Sequence, residues 1–570
     1  MKSINQNIFG VVICLLLILV SNSCTNLDEN LYDRITSANF LQTKDDVTRD
    51  FLRSFEHGYW SIQGNGLYYA QELPTDEMMT PNRDGDWFDG GVYERCHYHT
   101  WTSQDSYTSD MWVALYQGIS LATNSLEDIE KIDPAQFGLT DSDKQDFVAE
   151  LRTLRAWYHL RGFDLYRNIP IVTKVKGESQ MPDQATPQEI FDFIEKELTE
   201  SLPNLPTREQ LGNDAIGRWT KGGAAALLVR LYLNAKVYIG QDKFSECAAI
   251  CEKFINGAYG NYQIESRWDA PFDYTNSTSA ELVFGFPSSF ARTHWQYDGG
   301  MFGWMSPHQA GKYFGLTGFS YNTRYALQPG RDVDSVAYSF ALGKPFIKFQ
   351  KYPDDFRLKK YRNLGNSARE GMFLFGYLPY VEDGETKYVK SNRGYTIFSR
   401  DQVGFFKDTP PGQPLADKVS NIDHADDNSG IWLVKYPFYP TDDANKLASA
   451  YAEIRYAEIY YSLAECRYRA GDKAAAAVLL NEVRKRNYPA GSPSLYEADG
   501  SELTDIEMLD EWGREFIGEG RRRTDLIRWD MFNTGTWWDK QPDADDHTKI
   551  YPIGKNVLNL SPNLKPNPGY

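Results

Sequence analysis

The chain has 570 residues, 41% of them hydrophobic and 24% charged, the profile of a protein with an ordinary buried core, and its mean hydropathy of −0.54 excludes a polytopic membrane protein. Sixty Lys and Arg stand against 78 Asp and Glu, and a net charge of −18 argues against a nucleic-acid binder held by phosphate neutralisation. Aromatic residues make up 14% of the chain, enough to fill a large core or to furnish surfaces that stack flat ligands, while six cysteines are too few for a disulfide scaffold of this length.

The N-terminus carries Lys2 and then an unbroken apolar run from Ile8 to Val20, too short to span a bilayer and suited to the core of a signal peptide. Ser21, Asn22 and Ser23 lead into Cys24, the arrangement of a bacterial lipobox in which the cysteine is lipidated and becomes the mature N-terminus. Ser21 stands where an aliphatic residue is usual, and simple secretion is the alternative. Residues 1–23 are thus expected to be a signal peptide. Of the cysteines left, Cys247 and Cys251 sit at i,i+4 on a helix and read as core filling.

The first long helices are expected at about 30–57 and near Ser109 to Ile132, the latter with Trp112, Leu115, Ile119 and Leu126 in register. Three helical pairs follow. The first joins Phe147–Tyr166, with Phe147, Leu151, Leu154 and Tyr158 along its apolar stripe, to a helix opened by Thr186, Pro187 and Glu189, a capping box with proline at the first helical position. The second is "TKGGAAALLVRLYLNAKVYIG" with "DKFSECAAICEKFI", and the third "YAEIYYSLAECRYRAG" with "DKAAAAVLLNEVRKR". The interval from Ala226 to Gly240 equals that from Ala457 to Gly471: a small residue at the helix contact and glycine at the turn, as in tetratricopeptide repeats. The fold class expected is all-α, with helical pairs in a scaffold at about 30–57, 106–256 and 450–535. Residues 58–108 and 258–450, rich in Gly, Pro, Asn, Asp and aromatics, read as long functional loops of a single interwoven domain, 24–570.

Motifs of chemistry are missing: there is no G-x-S-x-G, P-loop, H-E-x-x-H or G-x-G-x-x-G. His97 and His99, beside Cys96, would share a strand face but lack a second ligand pair, so a packed or solvated pair is preferred to a metal site. "DHADDNSG" at Asp423 to Gly430 lacks the spacing of a calcium loop and reads as an acidic surface loop. Arg521 to Arg523, near Glu515, Glu519 and Asp525, read as an internal salt-bridged corner. No catalytic residues, cofactor or metal are expected.

Several stretches together resemble the SusD/RagB family of outer-membrane nutrient-binding lipoproteins: "SNSCTNLDE", "RITSANFLQTKDDV", "ELPTDEMMTPNRDGDWFDGG", "ELRTLRAWYHLRGFDLYRNIPIVTK", "TPQEIFDFIEKELTESLPNLP", "GRWTKGGAAALLVRLYL", "REFIGEGRRRTDLIRWD" and the terminal "YPIGKNVLNLSPNLKPNPGY". The resemblance spans nearly the whole length and is weakest over 260–450. It implies a tetratricopeptide-based fold anchored to the outer membrane through Cys24. It also implies a partner, a SusC-like TonB-dependent transporter, to which the lipoprotein passes a glycan. A peptide ligand and a pure protein-interaction scaffold are the alternatives. In the family's starch-binding member an Asp, an Arg and a Trp follow the first helix, and the resemblance carries these roles to Asp76, Arg83 and Trp101. Two loop regions supply the aromatics, 60–104 and 286–322. From them Trp101 and Trp295 are expected as stacking rings and Asp76 and Arg83 as hydroxyl partners, with Trp87 and Trp304 as further ligand residues.

Overall fold

A computed structural model describes residues 41–63, 66–178, 181–289, 295, 301–316, 323–440 and 444–570. Cys24, Phe290 and Tyr297 lie outside the described residues.

Eight helices form a continuous array in which each packs on the next: α1 (Lys44–Gln63), α2 (Ser106–Ile129), α3 (Asp141–Tyr166), α4 (Pro187–Ser201), α5 (Lys221–Leu233), α6 (Phe244–Ile255), α7 (Tyr456–Arg469) and α8 (Lys473–Arg484). Neighbouring helices bury stripes that neither could bury alone. α3 begins earlier than its apolar stripe suggests because Thr140 and Asp143 form a capping box. The box expected at Thr186 and Glu189 opens α4; such a cap is worth about 1 kcal/mol. The helix expected from Thr220 to Gly240 breaks at Asn234, whose side-chain amide donates to the Arg230 carbonyl at 2.9 Å. A short helix, Ala235–Ile239, then ends on Gly240 in the left-handed conformation. Ala226 and Ala457 are buried at the helix contacts, and Cys247, Cys251 and Cys466 fill the seam between α6 and α7.

α2 and α3 approach closely at Gly118. A Cβ added to Gly118 would lie 2.3 Å from the Tyr158 ring, so only glycine lets the two helices close. The Tyr158 hydroxyl reaches across to donate to the Ser54 carbonyl of α1 at 2.8 Å, tying three helices together.

Between α6 and α7 the chain follows short strands, hairpins and single helical turns. β1 (Met78–Met79) pairs with β3 (Ala326–Leu327), and β2 (Leu282–Phe286) pairs with β8 (Tyr451–Arg455). The second ladder departs from the expectation of helix from 450 onward: the chain enters α7 through a buried strand. Every sheet among the described residues is two-stranded. One of them joins β4 (Gly376–Tyr377) to β7 (Phe398–Ser399), and beside it β5 (Pro379–Glu382) and β6 (Glu385–Tyr388) form a hairpin.

The C-terminal segment is fastened by the arginine corner. α9 (Asp505–Phe516) leads through Gly518 and Gly520 to α10 (Arg522–Arg528). Arg522 pairs with Asp76 at 2.7 Å, Arg523 with Asp164 at 3.0 Å, Arg521 with Asp525 at 3.0 Å and Arg528 with Glu465 at 2.9 Å. Glu515 and Glu519, expected as local partners, instead bind Arg455 on β8 at 2.9 and 2.8 Å.

Candidate functional site

Four of the six residues expected at the ligand are enclosed by protein. Asp76 is 1% exposed; it accepts from Arg522 and from the Gly343 amide at 3.0 Å, and pairs with Lys348 at 3.3 Å. Arg83 is wholly buried. It donates to the carbonyls of Thr323 at 3.0 Å and of Asp426 and Ser429 at 2.8 Å, and lies 4.5 Å over the Trp432 ring. Trp101 packs on Tyr551 and His99 and donates to the Tyr570 hydroxyl at 2.7 Å, holding the C-terminal tail. Trp295, fully buried, packs on Tyr59 at 4.2 Å and Tyr451 at 4.9 Å. Trp101 and Trp295 therefore do not form the expected stacking pair. Their segments are covered by the chain's own C-terminus and by β8, a long-range burial that loop composition does not reveal.

The same burial revises two other expectations. Asp426 to Ser429 are not an acidic surface loop but a buried cradle for Arg83. His97 ends a helix, Val92–His97, rather than lying on a strand, and the histidines bind separate carboxylates: Asp539 at 2.6 Å and Asp543 at 2.8 Å. Among the described residues no group of three or more His, Cys, Asp or Glu is placed to hold a metal ion.

The structure does bring Trp87 and Trp304 together. Both are half-buried, and both lie against the guanidinium of Arg324, whose carbon stands 5.3 Å from the Trp87 ring and 4.6 Å from the Trp304 ring. Tyr325, Tyr93 and Tyr69 complete the cage at 4.9, 5.0 and 5.8 Å. Such contacts are worth about 0.5–2 kcal/mol each depending on solvation. Backbone bonds from the Arg324 and Tyr325 amides to the Trp304 carbonyl, at 3.1 and 2.9 Å, lock the two segments in register. The Arg324 Nε has no described acceptor.

Trp87 reaches the cage through an unusual backbone. Within 84–91, Asp84, Gly85, Trp87, Asp89, Gly90 and Gly91 all have positive φ, and that of Trp87 is 66°. A bulky residue in the left-handed region is strained, and such strain persists only where surrounding structure imposes it. The clamp is visible. The Asp84 amide donates to the Ala425 carbonyl at 2.9 Å, and the Asn82 and Asp86 amides donate to Ile422 and Arg83. Arg393 binds the Asp86 carboxylate and the Asp84 carbonyl, each at 2.9 Å. Burial raises the Asp86 carboxyl, but bonds from Arg393 and Asn392 outweigh it and keep the group below the ordinary carboxylate range. Arg83, beneath this loop, supports it rather than facing a ligand. Phe88, next to Trp87, is 49% exposed. The site thus offers two braced, half-exposed indole rings around a partly buried cation, with the exposed Phe88 on the adjoining residue. That suits a flat, hydroxyl-bearing ligand. Arg324 and Tyr93 were missed by sequence reading, because nothing local marks an arginine whose partners come from two other segments.

This fold, a helical-repeat scaffold carrying aromatic loops, is that of the SusD superfamily. Residues 415–570 match the family model described as "SusD family", and residues 50–233 match one described as "Starch-binding associating with outer membrane". The chain thus matches SusD-type family models over two segments and is similar to a SusD protein along most of its length. It is 25% identical over 537 residues to the starch-binding protein SusD of Bacteroides thetaiotaomicron, covering 90% of this chain and 86% of that protein. A solved SusD homolog from Bacteroides thetaiotaomicron superposes with a TM-score of 0.67 at 17% identity, over 94% of this chain and 98% of the other. A laminarin-binding SusD-like protein superposes with a TM-score of 0.63 at 19% identity, over 93% of this chain and all of the other. No described helix is long and apolar enough to cross a membrane.

Proposed function

We propose that the protein is a cell-surface receptor that binds a glycan chain at Trp87 and Trp304 and hands it to a SusC-like TonB-dependent transporter, held at the outer membrane by lipid on Cys24. The observation that carries this reading is the convergence of two half-buried tryptophans, from loops far apart in sequence, on the single cation Arg324. A sugar ring presents a flat C–H face to an indole, and the hydroxyls at its edge take hydrogen bonds from donors such as Arg324. Strain at Trp87 is a cost the fold tolerates where a ring must be held in one place. Starch and laminarin in the names of the relatives support a glycan ligand. The role is binding and delivery without bond cleavage, and no cofactor takes part.

The test is a binding screen by affinity electrophoresis and calorimetry against starch, laminarin and other plant, host and microbial glycans, with a peptide library alongside. Wild type should bind a glycan, and Trp304→Ala, while still folding cooperatively, should weaken that binding roughly tenfold or more. Binding to peptides alone, or equal glycan binding by the variant, would reject the reading.

A further inference from the structure

The long insertion between α6 and α7 builds a second aromatic surface, from residues that take no part in the Arg324 cage. Tyr377 on β4 lies across from Phe398 on β7, and their rings meet edge to face at 4.8 Å. The β5–β6 hairpin brings Tyr388 alongside, 5.2 Å from the Tyr377 ring. Tyr377 and Tyr388 are 40% and 42% exposed, so both rings keep open surface. They border a cleft of about 580 Å³ whose other walls include Arg400, Phe406, Lys407 and Asn428.

Arg400 is the informative group. It is 8% exposed and sandwiched between Phe406 at 4.6 Å and Phe398 at 5.1 Å. One of its terminal nitrogens donates to the Thr409 carbonyl at 2.8 Å, while its buried Nε has no described acceptor. The two phenyl rings and the Thr409 bond hold this guanidinium in the cleft wall, a positioned cationic group of the kind that hydroxyl-bearing ligands bind. The charged groups on the wall are mixed, Arg400 and Lys407 with Asp408, and the chain as a whole carries −18. Such a surface fits a neutral polyol better than a polyanion. Lys407 also reaches Asp84 at 3.8 Å, the first residue of the strained loop that carries Trp87, so the cleft adjoins the first site through that contact.

We propose that the cleft walled by Tyr377, Tyr388, Phe398 and Arg400 is a second subsite for a neutral oligosaccharide, taking a further stretch of the chain bound at Trp87 and Trp304. This rests on the glycan reading above. Two subsites on one polymer bind with an effective concentration that a short oligosaccharide cannot exploit, so the second shows most strongly on long chains.

The test compares wild type, the Trp304→Ala variant and the Tyr377→Ala/Tyr388→Ala double variant in gels containing soluble starch, laminarin or the other polysaccharides of the screen. Both tyrosines are exposed, so the double variant should melt like wild type. It should lose roughly tenfold in apparent affinity for the polymer, and a smaller factor for a trisaccharide of the same sugar. Wild-type retention by the double variant on a polymer that Trp304→Ala fails to bind would overturn this subsite and leave the first standing. The reverse pattern would place glycan binding at the tyrosines and reject the first site. No retention of wild type on any polysaccharide would overturn both.

Discussion

Asp76 and Arg522 form an ion pair at 2.7 Å across 446 residues of sequence, both almost completely withdrawn from solvent. Asp76 looks from the sequence like a hydroxyl partner for a ligand; in the structure it anchors the arginine corner to the first long loop. Burial alone would raise its carboxyl, but Arg522 and Lys348 outweigh burial and hold it well below the carboxylate range. Removing one member of a buried pair costs about 3–5 kcal/mol because the other charge is left stranded. Asp76→Ala should therefore lower the melting temperature sharply while any folded fraction keeps wild-type glycan affinity. Since the folded group is the stronger acid, its contribution is complete above the unfolded value of about 4 and is lost as the pH falls through the lower folded value. Denaturant midpoints of wild type between pH 6 and pH 2 should show that loss, and those of the variant should be flatter.

Glu72 behaves in the opposite sense. It is fully buried and accepts from the backbone amides of Gly520 at 2.5 Å and Arg521 at 3.2 Å, while its second oxygen has no described partner. Burial, reinforced by the charge of Glu77, raises its carboxyl well above the ordinary value. A raised folded value means that the group's contribution is full below the unfolded value of about 4.3 and declines as the pH rises toward the folded one. Glu72→Gln keeps the acceptor and removes the ionisation. Its stability relative to wild type, from urea melts, should improve between pH 5 and pH 8; an unchanging difference would mean that Glu72 is already ionised in the fold.

Trp87 separates ring from backbone. Trp87→Ala and Trp87→Gly both remove the indole, so both should bind glycan roughly tenfold or more weakly than wild type. Only glycine relaxes at a φ of 66°, and relief of a left-handed residue is worth about 1 kcal/mol. Trp87→Gly should therefore be more stable than Trp87→Ala in equilibrium denaturation. Equal stabilities would show that the loop is not held under strain.

Lipid on Cys24 is the proposed anchor. Attachment of several acyl chains anchors stably where one chain does not. Wild type expressed in a host with a lipoprotein pathway should partition into the detergent phase, and Cys24→Ala into the aqueous phase. Partition of both into the aqueous phase would leave secretion without an anchor.

Much of the scaffold is legible in the sequence because its determinants are local. The capping residues Thr186 and Glu189, the apolar stripe from Leu151 to Tyr158 and the turn glycines Gly240 and Gly471 each act within one or two helical turns, and each sits where its chemistry requires. The arginine corner was readable as a salt-bridged unit from its crowded charges. Its farther partners, Asp76, Asp164 and Glu465, are hundreds of residues away in two cases and were not. The candidate ligand surface was decided by tertiary structure. Trp101 and Trp87 come from the same loop region with the same side chain, yet one is sealed under Tyr551 and Tyr570 and the other stands half-open beside Arg324. Which indole is covered depends on where distant segments land, and the contacts that fix those landings, such as Arg83 on Asp426 and Arg393 on Asp86, leave no periodic trace along the chain.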